Sequence, residues 1–170
     1  MPVKAQTPLE EYLKLPEGYP AELIKGEIVV SPSPDVKHQK VAIRFIKEIL
    51  KYEDKGEVFS EIDICFDEEN VLRPDVIFIK KESEKIIGEK WIEGAPDIIV
   101  EIVSPTSSGR DFIEKKEIYE KFGVKEYWIV VPDEEKVYVL LHDGEKYKLS
   151  CSGKKCKSKV LEGFEWGFEE

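Results

Sequence analysis

Two runs of the chain, Arg73-Pro74-Asp75-Val76-Ile77-Phe78-Ile79 and Pro96-Asp97-Ile98-Ile99-Val100-Glu101-Ile102-Val103-Ser104, mix β-branched apolar residues with acids. Continuous apolar runs of this length read as strands covered on both faces. An ionised carboxylate in such a strand is costly unless a cation or a set of donors meets it. Asp75 and Glu101 are therefore the two groups that any fold of this chain has to accommodate.

Side chains alternate along a strand, so Asp97, Ile99, Glu101 and Val103 share one face, and Asp75 shares a face with Ile77 and Ile79. Several readings of Glu101 stand open: a glutamate on a wet edge strand, a buried acid paired with one basic residue, or, more sharply, a metal ligand or a perturbed acid. Asp75 and Asp97 both follow proline, a context in which an acid can simply bond to nearby backbone. The Pro-Asp dipeptide by itself therefore discriminates nothing.

A helix is expected from about Asp111 to Phe122, stopped by Gly123. At about 100° per residue, Phe112, Ile118, Tyr119 and Phe122 form one apolar arc, with Lys115 near its middle and Lys116 at its edge. A lysine there either snorkels to water or, if the helix covers the acid-bearing face, carries an ammonium toward Asp75 and Glu101. Two carboxylates and a lysine in one place suit a hard divalent cation and the hydrolysis of a phosphate ester. Asp97, by contrast, reads as a turn residue.

The rest of the chain supplies a frame for these runs. Thr7-Pro8-Leu9-Glu10 has capping-box spacing and predicts a short helix to about Leu15. Residues 21–24 and 27–30 predict a hairpin around Lys25-Gly26, and Asp35 is placed to cap a helix with Val41, Phe45, Ile46, Ile49 and Leu50 on its apolar face. Val58, Ile62, Ile64 and Phe66 alternate with acids as one half-wet strand, residues 71–79 form the next, and Lys80 to Lys90 is a surface loop or short helix. The small-residue loop Thr106-Ser107-Ser108-Gly109 is where mobility is expected. Residues 127–131 and 136–141 predict a second hairpin. Strands at the centre with helices after the first hairpin and after the later strands give an α/β chain, a mixed β-sheet flanked by helices, in one domain over residues 1–170.

Composition narrows the function. With 26 Lys and Arg against 36 Asp and Glu the net charge is −10, the opposite sign to that of most domains devoted to a phosphate backbone. A metal ion and a local lysine patch can still hold phosphate on such a protein. Lys154, Lys155, Lys157 and Lys159 form one basic patch, read either as a phosphate contact or as a solvated hairpin. Three cysteines, Cys65, Cys151 and Cys156, make an odd count without paired CxxC elements, which argues against a disulfide framework or a structural zinc site. No signal peptide and no apolar run near eighteen residues is present, so the expectation is a cytoplasmic protein, away from membranes, whose thiols stay reduced.

Taken in order, Arg73-Pro74-Asp75, then Pro96-Asp97 to Glu101-Ile102-Val103-Ser104-Pro105, then Asp111, Lys115 and Tyr119 at spacing four, then Gly123-Val124-Lys125-Glu126-Tyr127-Trp128 resemble the Uma-type family of putative restriction endonucleases, within the PD-(D/E)XK nuclease superfamily. Glu22-Leu23-Ile24-Lys25-Gly26-Glu27, Ser31-Pro32-Ser33-Pro34 and His38-Gln39 extend the resemblance, which covers about residues 20 to 145. It implies a restriction-endonuclease-like core and Mg²⁺-dependent hydrolysis of DNA phosphodiesters, with Mn²⁺ as a substitute. Asp75 and Glu101 would be metal ligands, with the Ile102 carbonyl a third. The superfamily's usual lysine, two residues after the second acid, is Val103 here, and Lys115 on the following helix stands in for it. Glu22 matches an acidic position that would bind metal or hold a water, and His38 a recurring position with a packing or hydrogen-bonding role. The expectation is thus a Mg²⁺-dependent endonuclease, with a homodimer as a further expectation. The alternatives are a catalytically silent binding or structural member, or a metal-dependent phosphoesterase acting on a smaller substrate.

Overall fold

The computed structural model describes residues 5–104 and 109–169, with residues 109–111 described by backbone alone. The order is α1 (Pro8–Tyr12), β1 (Ala21–Ile24), β2 (Glu27–Val30), α2 (Val36–Ile49), β3 (Gly56–Ser60), β4 (Ile64–Asp67), β5 (Asn70–Leu72), β6 (Val76–Lys80), β7 (Ile98–Ile102), α3 (Gly109–Lys121), β8 (Glu126–Val131), β9 (Lys136–His142), β10 (Tyr147–Gly153), β11 (Lys155–Lys157) and β12 (Glu165–Gly167). Lys81–Ile86 forms a 3₁₀ helix, the short helix expected in that charged segment.

The central sheet has six strands in the order β10-β9-β8-β7-β6-β3. Its pairs are antiparallel except β7 and β8, which run parallel and are joined by α3, the crossover that a parallel pair requires. Alternation divides the sheet cleanly. Val76, Phe78, Ile98, Val100 and Trp128 face α2, where Phe45 meets Trp128, Phe164 and Trp166. Ile77, Ile79, Ile99, Tyr127 and Ile129 face α3. Glu101, odd-numbered on β7, and Asp75, one residue before β6 and in phase with Ile77 and Ile79, belong to the α3 side.

A second sheet, in the order β2-β1-β5-β4, lies beyond that side and contributes Ile24, Ile64 and Leu72 to the same apolar cluster. Two expected strands are broken to make it. Residues 58–66 are not one strand: Glu61 has φ 52, and the chain leaves the large sheet at Ser60 and enters the small one at Ile64. Residues 71–79 likewise divide at Arg73-Pro74-Asp75, because proline cannot donate to a ladder and ends β5 before β6 begins. Alternation alone does not tell one strand from two that share its phase.

Other expectations shift in detail. The Thr7 hydroxyl accepts from the Glu10 N–H at 3.1 Å as the capping spacing demands, but α1 ends at Tyr12 rather than Leu15. Asp35 caps α2 by accepting from the His38 N–H at 2.8 Å. Cys151 and Cys156 form a disulfide between β10 and β11, which corrects the expectation of reduced thiols. The odd count of three left one cysteine, Cys65, over and so hid the pair. Thr106, Ser107 and Ser108, where mobility was expected, lie outside the described residues. Among the described residues no helix is long and apolar enough to cross a membrane.

Candidate active site

The register of the central sheet brings the two acids together. Val76 pairs with Val100 and Ile77 with Ile99, so one further step sets Asp75 beside Glu101. The end of β7 is tied to Asp75 by the Ile102 N–H, which donates to Asp75 Oδ2 at 2.7 Å. The other carboxylate oxygen, Oδ1, lies 3.1 Å from His38 Nε2, in the first turn of α2. Burial works against the protonated ring, yet the Asp75 hydrogen bond is the larger effect and raises the His38 pKa.

Glu101 is 9% exposed and receives the Tyr119 hydroxyl on Oε1 at 2.7 Å. Lys115, four residues earlier on α3, places Nζ 3.7 Å from Glu101 Oε2 and 2.9 Å from Glu22 Oε1. Lys115 therefore turns inward to the acids rather than snorkelling to water. Glu22 comes from β1 of the small sheet, where its other oxygen accepts from the Arg73 N–H at 2.8 Å and the Ser31 hydroxyl stands 3.4 Å from Oε1. Asp75, Glu101, Ile102, Lys115, Glu22 and His38 thus line one cavity of about 840 Å³ at the seam between the two sheets.

The electrostatics of this cavity are lopsided. Burial pushes Glu101 up from the ordinary carboxylate range to about 8; Lys115 and the Tyr119 hydroxyl pull it down, while Asp75 and Glu22 push it further up. Lys115 is also buried, which alone would lower it, but Glu101 and Glu22 together hold it above the usual lysine value. Three carboxyl groups share the space with one ammonium, and a further cation there would favour the ionised form of Glu101. Asp75 and Glu101 with the Ile102 carbonyl are hard oxygen donors, and they fit a cation such as Mg²⁺ in kind and in charge. Among the described residues no three His, Cys, Asp or Glu side chains are gathered into a finished metal cage, because Glu22 and Glu101 turn to Lys115 and Asp75 to His38.

Two acids outside the cavity depart from the sequence reading. Asp97 is more than a turn residue: it is 2% exposed and accepts from the Lys80 N–H at 2.7 Å, the Ser83 hydroxyl at 3.2 Å and Lys125 Nζ at 3.1 Å. It locks the far end of β7 to the helix after β6. Glu126, fully buried at the start of β8, accepts from Trp128 Nε1 at 2.8 Å, the Ser158 hydroxyl at 2.6 Å and the Lys159 N–H at 2.8 Å. Its place at the head of the apolar run Tyr127–Val131 is the signal that could have found it. Arg73 is bound to Asp63 at 2.6 Å and to the Tyr12 hydroxyl at 3.4 Å, a long-range cluster that local spacing does not reveal. In the basic patch, Lys155 pairs with Glu165 at 3.1 Å on the β11–β12 hairpin.

Comparison with known proteins agrees with this architecture. A crystal structure described as a putative nuclease belonging to DUF820, from Anabaena variabilis, is 27% identical, covers 85% of this chain and 84% of its own, and superposes with a TM-score of 0.69. The fold is accordingly restriction-endonuclease-like, a mixed sheet flanked by helices. Among the curated proteins none matches the chain. The family model described as Uma2, putative restriction endonuclease, matches residues 9–169, nearly the whole length, and the chain belongs to that family.

Proposed function

We propose that the protein is a divalent-cation-dependent nuclease that hydrolyses DNA phosphodiester bonds, with Mg²⁺ or Mn²⁺ as the cofactor. The observation that carries this reading is the meeting of Asp75, Glu101, Glu22 and Lys115, from both sheets and α3, in one cavity. Asp75, Glu101 and the Ile102 carbonyl would hold the cation. When bound, such an ion neutralises phosphate charge and makes water a better nucleophile at neutral pH.

The chain's own groups divide the remaining work. Lys115 is held protonated by Glu22 and Glu101, so its part is to meet the charge that grows on the phosphoryl oxygens rather than to take a proton. Glu22 keeps that ammonium aimed into the cavity, being fixed in turn by the Arg73 N–H. Tyr119 fixes the Glu101 carboxylate by its hydroxyl and favours the ionised form that a cation needs. Supercoiled and single-stranded DNA with Mg²⁺ or Mn²⁺ provide the test. Wild type should cleave, and Asp75→Ala and Lys115→Ala should each lose about 100-fold or more in rate; equal turnover by all three removes the assignment.

One alternative has its own support. The net charge of −10 and the engagement of the acids by Lys115 and His38 favour a catalytically silent member of the family that binds without cutting. Calorimetric titration with Mg²⁺ and Mn²⁺ separates the two. The nuclease gives saturable heat that disappears in Glu101→Ala, and the silent protein gives none.

A further inference from the structure

Helix α2 carries two apolar stripes. Val41, Ala42, Phe45 and Ile49 point into the core. On the opposite side, at about 100° per residue, Val36, Ile43 and Leu50 fall within an arc of about 40°. They are 71%, 48% and 43% exposed, and Leu50 lies in the 3₁₀ turn that prolongs the helix. A single exposed apolar side chain needs no account. Here three of the nine large apolar residues exposed among the described residues stand on one line, at a spacing of seven, along about 21 Å of helix.

A basic band runs beside this stripe. Lys40 and Lys47 lie next to the apolar line, and Lys37, Arg44 and Lys51 follow on the same flank, while Gln39 and Ile46 leave the other flank uncharged. Residues 36–51 hold five Lys and Arg against one Glu, a net of +4 on a chain whose total is −10. Lys37 is paired with Asp133 at 2.6 Å, Lys51 with Glu48 at 2.9 Å and Arg44 with Glu169 at 4.0 Å. Lys40 and Lys47 are exposed and have no carboxylate partner among the described residues. Arg44 and Lys47 also share a cavity of about 690 Å³ with Lys154 and Lys155, so the fold brings the basic patch at the β10–β11 turn up to the same flank of the helix.

We propose that this outer face of α2 is a docking surface for an acidic amphipathic helix of another protein. The partner lays apolar side chains along Val36, Ile43 and Leu50 and carboxylates along Lys40 and Lys47. Helix-to-helix docking reads anchors spaced three, four and seven residues apart, and the charges flanking the seam select the partner. Charge decides between the possible occupants. Two copies of this chain packed antiparallel through this face would set Lys40 and Lys47 against the same lysines. A phosphate backbone would answer the lysines and leave the three apolar side chains without a counterpart. The inference stands on this surface alone and is independent of the chemistry of the cavity between the sheets.

Fluorescence anisotropy of labelled peptides titrated with the full chain tests it. The probe is a synthetic peptide of about three heptads with Leu at its a and d positions and Glu at e and g. One control has the same composition shuffled to break the repeat, and a second has Lys in place of Glu. The patterned acidic peptide should saturate and bind at least about tenfold tighter than either control. Ile43→Gln should weaken it about tenfold, and the double variant Lys40→Glu, Lys47→Glu should reverse the preference, taking the Lys peptide over the Glu one. The substituted side chains are exposed, and melting temperatures show that each variant is folded. No saturable binding of the patterned peptide, equal binding of the shuffled one, or indifference to Ile43→Gln overturns the proposal. So does a labelled DNA duplex that binds more tightly in chelator than the peptide and is weakened by the lysine reversals but not by Ile43→Gln, a result that assigns the band to a phosphate backbone.

Discussion

Burial holds the Glu101 carboxyl above the ordinary carboxylate range, and that sets a pH dependence. Below about 4.5 the carboxyl is protonated whether the chain is folded or not. Between that value and about 8 the unfolded chain has released the proton while the folded one retains it, so stability falls as pH rises; above about 8 the loss is complete. Glu101→Gln removes this loss. In the absence of divalent cations it should be more stable than wild type by roughly 1–3 kcal/mol at pH 8 and show little gain at pH 4.5, as read by urea denaturation at the two pH values. Lys115 retains Glu22 in this variant, so the buried ammonium stays paired. Asp75, Glu101 and Lys115 were legible because each breaks a local pattern: an acid in an apolar strand, a lysine inside an apolar arc. The resemblance added Glu22 and His38, whose own neighbours signal nothing. Asp97 was read only in part, since its donors come from Lys80, Ser83 and Lys125, beyond the reach of any periodicity.

At the level of elements, strands and helices were legible wherever one periodicity ran without a break, as in α2, β7 and the β8–β9 hairpin. The divisions at Glu61 and at Arg73-Pro74-Asp75 were not, because the hydrophobic phase continues across them while the chain changes sheets. Parity of cysteines likewise says nothing of which strands lie side by side. The Cys151–Cys156 bond closes a short loop between β10 and β11, with its Cys156 end buried in the core cluster that α2 covers. Breaking a loop of this size should cost about 2 kcal/mol. Thermal unfolding with and without reductant checks it, and Cys151→Ser should already melt at the lower temperature and be indifferent to reductant.

For the whole molecule, the excess of ten negative charges makes a polyanion an unwelcome neighbour unless cations intervene. DNA association should therefore be undetectable in chelator and appear with Ca²⁺ in place of Mg²⁺, as followed by fluorescence anisotropy of a labelled duplex. Divalent cations should also raise the melting temperature, by an amount equivalent to about 2.7 kcal/mol at a hundredfold excess over the dissociation constant, and Glu101→Ala should abolish the rise. The seam between the sheets has a mechanical corollary. Glu101 on β7 and Asp75 at the entry to the neighbouring β6 are tied by the Ile102 N–H and keep their spacing as that sheet does. Glu22 rides on the other sheet and is linked to them through Lys115 and the Arg73 amide. A small tilt of one sheet against the other would leave the two paired acids in register and withdraw the third together with its hold on the ammonium, so the angle between the sheets sets how closely the three carboxyl groups meet.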